Sequence, residues 1–414
     1  MTTPDVLVVG GGPGGAAAAH WLARDGADVL LVEKRRYPRS KTCGDGLTPR
    51  AVRQLLDMGF EFGDEVHRIV GLRAYAGDLV MELPWPRHTI YPDWGATLRR
   101  ADLDEQVARL AVKQGARLVE GTEARAVVED GRLVAVDLVA DGATTRIEPR
   151  VVVVADGSLS RFGRSLGAHR RRDYPYGLAV RGYYRSPKSR DGFLESQLDI
   201  RDAQGRSMPG YGWVFPLGDG TLNVGVGVIS TFRGWKDVNT SRVLDAYLEQ
   251  LRDPWELDDE GPLEPPVGGK LPMALSVGPR AGANWVAVGD AAGAVNPFNG
   301  EGIDYAYETG RLAARYVLEE LADPGGGHLR AYARALEDAY GDYHRVARAF
   351  VVAIGNPHVM RTLTRVGLRS RPLMEWVLKV MANLLEPEEV GMAERVYLAI
   401  ERIVAAGPEP RVRR

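Results

Sequence analysis

The sequence predicts an α/β fold, α+β overall, in which a parallel sheet with flanking helices is joined by an antiparallel-sheet domain and a C-terminal helical region. Three observations support this prediction. An apolar strand at Val6–Val9 runs into a glycine-rich turn and an alanine-rich helix over 16–23. Short alternating runs joined by Gly/Asp turns fill 176–229, as is typical of antiparallel strands. Basic and aliphatic residues mix at helical spacing over 343–381.

The turn after the first strand has the spacing of a phosphate cradle. Gly10, Gly12 and Gly15 form a G-x-G-x-x-G sequence, with Pro13 between the last two. The first glycine permits the tight turn, the second lets backbone N–H groups approach a pyrophosphate, and the third lets helix and strand pack closely. Glu33 ends the next apolar strand about 20 residues later, where a carboxylate can hold a ribose 2′-hydroxyl. This acid argues against a 2′-phosphate and therefore against NADP.

Length and composition set the outer limits. At 414 residues and 45% hydrophobic, the chain can bury a large core and divide into two or three domains. A net charge of −2 shows no excess of basic residues of the kind that nucleic-acid-binding proteins carry. The single cysteine, Cys43, excludes an intramolecular disulfide and fits a reducing cytosol, and no metal-ligand set is predicted. No apolar run reaches the roughly 18 residues of a membrane span, so membrane contact is expected to be peripheral.

A basic loop over 34–41 leads to a tight turn formed by Cys43, Gly44, Asp45 and Gly46, before a helix that Thr48 can cap. Two interpretations stay open from the residue types. The turn is either a solvated loop with an incidental thiol, or it presents a thiol and backbone amides to the ligand at the carboxyl edge of the sheet.

Two further buried strands end in acidic turns. The run Val151–Val154 precedes Asp156 and Gly157, which also suit an ordinary Asp-Gly turn. The run from Trp285 ends in Gly289 and Asp290, and a second glycine-rich segment, 296–302, then opens a helix at 303. A second helix N-terminus at this edge is suited to negative charge at the far end of a dinucleotide, such as a reduced flavin ring. FAD is therefore a better candidate than NAD, and no separate nicotinamide domain is predicted.

The stretch PGYGWVFP at 209–216 is crowded with aromatic residues between prolines. Such a cluster is commonly part of a core, but it also suits the apolar wall of a site for a flat or greasy ligand.

Taken together, these motifs resemble a known family. GGGPGG with Glu33, ADGSLSRFGR at 155–164 and GDAAGAVNP…GEG at 289–302 resemble the glutathione-reductase-type FAD fold of the aromatic-hydroxylase kind. KTCGDGLTPR at 41–50 and PGYGWVFPLGDGTLNVGVG at 209–227 narrow the resemblance to the geranylgeranyl reductase family, over almost the whole chain. One departure is that archaeal lipid-saturating members have one more residue between the positions of Pro209 and Tyr211.

The resemblance implies an FAD-dependent oxidoreductase that saturates an isoprenoid C=C bond, with the prenyl tail of menaquinone as the expected substrate. Geranylgeranyl diphosphate or another prenyl lipid is an alternative substrate. An external electron donor or reductase is an expected partner. Two other functions stay open: an oxygen-using hydroxylase or halogenase, because Tyr211 and Trp213 faintly resemble the halogenase W-x-W motif, and a non-catalytic prenyl-binding escort protein.

The resemblance also implies roles for matching positions. The ADP half of FAD would be held by Gly10, Gly12, Pro13, Gly15, Glu33 and Lys34. The phosphate, sugar and ribityl region would involve Arg100, Asp156, Gly157, Gly289 and Asp290, and the flavin ring would lie near Pro297, Gly300, Gly302 and Ile303. The face where hydride leaves would be lined by Cys43, Gly44 and Asp45, and the isoprenoid channel by Tyr211, Gly212, Trp213 and Phe215. Cys43 and Tyr211 are the candidate proton donors.

The expected domain division follows the motifs. The FAD-binding domain would comprise 1–75, 97–172 and 278–340, interrupted by a substrate-domain insertion at 76–96 and an antiparallel substrate-binding domain at 173–277. The helical region 341–414 either packs on the FAD domain or lies on an anionic membrane through its basic residues, and both can hold. The expected location is cytoplasmic, at the inner face of the cell membrane.

Overall fold

A computed structural model describes residues 3–202, 204–385 and 391–412 of the protein. The strands are β1 Val6–Val9, β2 Val29–Glu33, β3 Gly46–Leu47, β4 His67–Ile69, β5 Gly71–Ala76, β6 Leu79–Pro84, β7 Gly95–Thr97, β8 Arg117–Glu120, β9 Glu123–Glu129, β10 Arg132–Ala140, β11 Ala143–Ile147, β12 Val151–Val154, β13 His169–Arg170, β14 Tyr176–Arg185, β15 Phe193–Gln197, β16 Gly210–Pro216, β17 Thr221–Ile229, β18 Val267–Pro272, β19 Val277–Gly278 and β20 Trp285–Ala287. The helices are α1 Pro13–Arg24, α2 Pro49–Asp57, α3 Arg100–Lys113, α4 Arg161–Ser165, α5 Thr240–Leu251, α6 Ile303–Ala322, α7 His328–Ile354, α8 Pro357–Gly367, α9 Arg371–Met381 and α10 Met392–Ala406.

A five-stranded parallel sheet has the order β20-β12-β1-β2-β8. Strands β1 and β12 are continuous Val/Leu runs and are buried throughout, because helices and the β9–β11 meander cover the two faces. The strand order reverses at β1, since β2 and β8 lie on one side of it and β12 and β20 on the other. In a sheet of this kind, ligands bind outside the carboxyl end of the strand at which the order reverses. The predicted fold class is confirmed.

Helices α1 and α6 cross closely behind this sheet because both present small residues at the contact. A Cβ on Gly310 would lie 2.5 Å from the carbonyl oxygen of Gly14, and a Cβ on Gly14 would lie 3.3 Å from the carbonyl oxygen of Ala306. These contacts leave no room for larger side chains, so the two helix N-termini are held side by side at the carboxyl edge of the sheet.

A seven-stranded sheet has the order β18-β14-β17-β16-β15-β5-β6. Its neighbours pair antiparallel except β15 and β5, which run parallel. Helix α5 covers one face, where Tyr247 is fully buried. Strand β5 pairs with both β15 and β6. The chain therefore enters this sheet at Gly71, before the substrate-domain insertion expected over 76–96.

Strand β8 pairs parallel with β2, while β9 to β11 form an antiparallel meander. One local expectation needs correction. The first helix begins at Pro13 and not at Ala16, because proline at the first helical position has no N–H to satisfy.

The C-terminal helices begin with the 27-residue α7, which packs along α6, and continue with α8, α9 and α10. Helix α9 contacts β6 at the edge of the seven-stranded sheet. Among the helices that the structure describes, none combines the length and apolar character needed to cross a bilayer.

Candidate cofactor and substrate site

The glycine-rich turn presents an open surface at its middle glycine only. A Cβ on Gly10 would lie 2.4 Å from a backbone oxygen of Ala155, and one on Gly15 would lie 1.8 Å from the oxygen of Gly10. A Cβ on Gly12 would meet only Arg39 Nη2, at 3.7 Å. Gly12 is also the N-cap of α1 and supplies no side-chain cap, so the first N–H groups of α1 are available to an anion.

Glu33 is buried beside this turn and already has three donors. Its carboxylate accepts the N–H groups of Gly11 and Arg35, each at 3.0 Å, and lies 3.1 Å from Arg39 Nη2. Tyr37 also binds this turn, because its hydroxyl donates a hydrogen bond to the Gly11 oxygen at 2.5 Å. Sequence reasoning missed Arg39 and Tyr37, because a basic loop alone does not show which side chain folds back.

Arg100 does not reach freely toward a ligand. Its guanidinium donates two hydrogen bonds to Asp104, at 2.7 and 2.9 Å, and Arg39 Nη1 lies 3.0 Å from the same carboxylate. Glu33, Arg39, Asp104 and Arg100 thus form a buried row of alternating charge, in which each carboxylate is neutralised by a neighbour. Lys34, expected at the cofactor, is exposed.

The acidic turns after β12 and β20 lie at the same sheet edge. Asp156 accepts the Ser160 hydroxyl at 2.6 Å and the Phe162 N–H at 2.8 Å, so it holds the start of α4, and burial raises its pKa. Asp290 lies 3.9 Å from Lys41 Nζ, which is itself 3.5 Å from where a Cβ on Gly157 would be. Lys41 is a second cation that sequence reasoning did not select.

The segment 296–302 forms the second glycine-rich cradle. Gly300 has a φ of +78°, and Gly302 caps the 20-residue helix α6 without a side-chain hydrogen bond. Pro297 and Ile303 are buried beside it, and Gly289 donates nothing to a ligand because its N–H bonds to Thr309. Two long helices therefore begin uncapped at one sheet edge, which fits an extended dinucleotide with negative charge at both ends.

One face of β16 forms an aromatic wall opposite these loops. Tyr211, Trp213 and Phe215 alternate along the strand and point to the same side. A Cβ on Gly44 would lie 2.7 Å from Phe215 Cε2, and Tyr211 donates its hydroxyl to the Asn299 oxygen at 2.6 Å. The wall thus contacts both the Cys43 turn and the second cradle.

Gly212 does not belong to this wall. A Cβ on Gly212 would lie 2.7 Å from the Tyr247 ring of α5, on the opposite side of the sheet. Successive residues of a strand point to opposite faces, so Gly212 does not share a face with Tyr211 and Trp213. The expectation that Gly212 lines the isoprenoid channel is therefore wrong.

Asp45 is the fully buried centre of the Cys43 turn. Its carboxylate accepts the Tyr183 hydroxyl at 2.7 Å, the Asn223 side-chain amide at 2.8 Å and the Arg100 backbone N–H at 3.1 Å. Burial raises the pKa of Asp45, and the Tyr183 and Asn223 hydrogen bonds oppose that shift. Tyr183 and Asn223 were missed because they come from strands more than 130 residues away in the chain.

The two candidate proton donors both hold their protons tightly. The Cys43 thiol accepts the Asp45 N–H at 3.4 Å, and burial raises its pKa more than the nearby Arg100 lowers it. Burial likewise raises the pKa of Tyr211. The roles expected for these and the other site residues stay predictions. Apart from Gly212 and Lys34, the structure brings the residues together where the carboxyl edge of the parallel sheet meets the seven-stranded sheet.

Comparison with known proteins agrees with this geometry. A family model described as an FAD binding domain matches residues 3–179. The protein named menaquinone reductase of Mycobacterium tuberculosis (strain H37Rv) is 40% identical over 399 residues, which covers 95% of this chain and 94% of that protein. Its namesake in Mycolicibacterium smegmatis is 40% identical over 403 residues, covering 96% and 95%. The digeranylgeranylglycerophospholipid reductase 1 of Methanopyrus kandleri is 30% identical over 356 residues, covering 83% and 88%.

Solved structures share the fold. A geranylgeranyl bacteriochlorophyll reductase-like protein from Thermoplasma acidophilum superimposes with a TM-score of 0.75 at 23% identity, covering 96% of this chain and 99% of that one. The flavin-dependent brominase Bmp2 superimposes with a TM-score of 0.72 at 17% identity, covering 98% and 100%. The cofactor is FAD, as the sequence predicted. With the relatives similar over nearly their whole length, the chain belongs to the geranylgeranyl reductase family of FAD-dependent oxidoreductases.

Proposed function

We propose that this protein saturates one C=C bond in the isoprenoid tail of menaquinone. The observation that supports the proposal is the apolar wall of β16, which contacts the Cys43 turn and the second cradle at the carboxyl edge of the parallel sheet. The 40% identity to two menaquinone reductases over nearly the whole chain favours this substrate over archaeal prenyl lipids, whose reductases are about 30% identical.

FAD supplies hydride to the alkene when it is bound and reduced. An isolated trisubstituted alkene is a poor hydride acceptor, so a proton must arrive at the other carbon, and positive charge develops at the tertiary carbon. The rings of Trp213, which is buried, and Phe215, which is half-buried, offer aromatic faces that stabilise such charge and limit the access of water. Gly44 fits against Phe215 because it has no side chain.

Contact with the membrane is part of the proposal, but over a shorter segment than the sequence suggested. Arg348, Val351, Ile354 and Leu368 are buried, and Arg348 is paired with Glu409 at 2.5 Å. The exposed basic and apolar side chains of α8, of the turn that follows it and of the start of α9 are Arg361, Leu363, Arg365, Val366, Arg369, Arg371 and Leu373. Mixed cations and aliphatic side chains of this kind suit an anionic bilayer surface, where a long-chain quinone resides. An external electron donor at the cytoplasmic side would reduce the cofactor.

The test is an anaerobic single turnover. The purified protein is reduced with dithionite and mixed with menaquinone in detergent, and the quinone ring is reoxidised before the tail is analysed by mass spectrometry. A persistent increase of two hydrogen masses, reduced strongly in Cys43→Ala, is expected. An increase with geranylgeranyl diphosphate and none with menaquinone would change the substrate.

A second candidate function is oxygen-dependent hydroxylation or halogenation, which the brominase-like fold and the Tyr211/Trp213 pair favour. The same protein is incubated with oxygen and halide, and a product that forms only with oxygen would replace the proposed reduction. A purified protein that contains no FAD would instead favour a prenyl-binding escort.

A further inference from the structure

Lys41 brings a positive charge to the carboxyl edge of the parallel sheet. Its Nζ lies 3.5 Å from where a Cβ on Gly157 would be. The Gly157 turn adjoins the glycine-rich turn after β1, because a Cβ on Gly10 would lie 3.2 Å from the Cα of Asp156. On its other side, Lys41 reaches Asp290, which follows β20. The ammonium group therefore lies between the first glycine-rich turn and the second cradle.

The two arginines near this edge are already held by carboxylates. Arg39 lies 3.0 and 3.1 Å from two buried carboxylates, and Arg100 lies 2.7 Å from one of them. The ion pair of Lys41 with Asp290 is longer, at 3.9 Å, and the Lys41 side chain is 35% exposed. A bound pyrophosphate requires a cation as well as backbone N–H groups, because both of its phosphates are negatively charged. Of these three cations, Lys41 is the one whose charge is available to a ligand.

The seven-stranded sheet fixes the backbone around Lys41. Arg181 of β14 donates from Nη2 to the Lys41 carbonyl oxygen and to Ser40 Oγ, both at 3.2 Å. The Thr42 hydroxyl donates to the Gly268 oxygen of β18 at 3.0 Å. Because β14 and β18 are paired neighbours, the loop is attached to one part of this sheet on both sides of Lys41.

Arg181 is the buried side chain that makes most of this attachment. It is only 1% exposed, which is rare for an arginine. Its Nη1 donates to Glu264 at 2.7 Å, and its Cζ lies 4.1 Å from the centre of the Tyr183 ring. Two of its three hydrogen bonds go to Ser40 and Lys41. Its guanidinium thus replaces its lost hydration largely with contacts to the loop that carries Lys41.

We propose that Lys41 binds the pyrophosphate of FAD, and that Arg181 is a positioning residue which holds Lys41 at that place. Lys41 takes the role in phosphate binding that was expected of Arg100. The seven-stranded sheet thereby contributes to cofactor binding through the loop. The inference concerns the cofactor alone, so it does not depend on which prenyl substrate the protein reduces.

The first measurement is the affinity of the FAD-free protein for FAD, followed by the quenching of flavin fluorescence. Lys41→Met should bind FAD about 30-fold more weakly, because a charge-assisted contact to phosphate is lost. Lys41→Arg should restore most of the affinity, since it keeps the charge. Added salt should weaken FAD binding less in Lys41→Met than in the wild type. The matched control is Lys113→Met, an exposed lysine at the end of α3, which should bind FAD normally.

A second measurement separates the phosphates from the rest of the cofactor. Riboflavin has the flavin ring and ribityl chain of FAD but no phosphate, so the wild type and Lys41→Met should bind it equally. The reduction potential of bound FAD should also be unchanged, because the phosphates carry the same charge in both oxidation states. A lower potential in Lys41→Met with unchanged FAD affinity would place the charge at the flavin ring and overturn the assignment.

A third measurement tests whether Arg181 acts through Lys41. Arg181→Lys cannot reach the same acceptors, so it should weaken FAD binding about tenfold. In the Lys41→Met background the same change should have no further effect. Arg99→Lys is the matched control, because Arg99 stacks on the same Tyr183 ring at 4.5 Å but pairs with Asp219. Additive losses in the double variant would contradict the positioning role.

Unchanged FAD affinity and salt dependence in Lys41→Met would overturn the proposal. An equal loss of FAD and riboflavin affinity in that variant would also contradict it, because the change would then not concern the phosphates. If Arg181→Lys does not fold, Thr42→Val replaces it in both backgrounds, since it removes the hydrogen bond to Gly268 that holds the same loop.

Discussion

Asn223 donates its side-chain amide to the carboxylate of Asp45 at 2.8 Å, and so ties the seven-stranded sheet to the Cys43 turn. The same amide group donates to the Cys43 carbonyl, also at 2.8 Å, and Asn223 Oδ1 accepts the Trp213 indole N–H at 2.9 Å. A single buried side chain therefore positions the aromatic wall, the thiol and the central carboxylate of the turn. This arrangement fixes the position of the seven-stranded sheet relative to the Cys43 turn.

Asn223→Ala should strongly destabilise the protein. It leaves a fully buried carboxylate with two of its three donors and a buried indole N–H without its acceptor, which costs about 3 kcal/mol of the free energy of unfolding. The comparison is Asn239→Ala, which removes the N-cap of α5 on the surface and costs about 1 kcal/mol. Urea unfolding of the FAD-loaded proteins, followed by tryptophan fluorescence, measures both. Equal losses for the two variants would contradict the assigned role of Asn223.

Gly12→Ala should weaken FAD binding, whereas Gly15→Ala should destabilise the fold. The new methyl of Gly12→Ala meets only Arg39 within 4 Å, so the protein without FAD keeps its melting temperature while its affinity for FAD drops about 100-fold. The methyl of Gly15→Ala would lie 1.8 Å from the Gly10 oxygen, so it disrupts the turn and lowers the melting temperature itself. Thermal unfolding and FAD titration separate the two effects. Normal FAD binding by Gly12→Ala would show that the pyrophosphate lies elsewhere.

The double variant Leu363→Glu/Val366→Glu should lose membrane binding without losing FAD. Leu363 and Val366 are 48% and 58% exposed on α8, beside Arg361 and Arg365, and two carboxylates there are repelled by an anionic bilayer. Sedimentation with phosphatidylglycerol-containing vesicles at low and high salt measures binding. The control changes Val112 and Val134, exposed apolar residues of α3 and β10, to glutamate. Equal vesicle binding by the two double variants would remove α8 from the proposed surface.

His344 should make stability depend on pH below neutrality. It is fully buried, neither ring nitrogen has a hydrogen-bond partner among the described residues, and burial lowers its pKa to about 3. Since the unfolded chain binds this proton near pH 6.5 and the folded protein does not, stability falls as the pH falls from about 6.5 to about 3, by roughly 1.4 kcal/mol per unit. Urea unfolding of His344→Phe should show a shallower decline over that window. A difference from the wild type that is the same at every pH would contradict this explanation.

The positions of the local motifs could be predicted because each is governed by backbone rules over a short stretch. Gly10, Gly12 and Gly15 between a strand and a helix, Glu33 at the end of the next strand, and Asp290 after the last one follow from chain geometry alone. The start of α2 at Pro49 was predictable in the same way, but not its cap: the Thr48 hydroxyl donates to Glu301, more than 250 residues away, and not to its own helix.

By itself, the sequence determined the fold class, the cofactor and the family, because these depend on motifs whose residues are neighbours in the chain. Tertiary structure decided which side chains meet: that Asn223 and Tyr183 hold Asp45, that Arg39 lies between Glu33 and Asp104, and that Gly212 faces α5. It also decided that Asp304 and Glu308 share the guanidinium of Arg50. The physical reason is that burial, and with it the strength of charges and hydrogen bonds, depends on contacts between distant segments that no local pattern specifies.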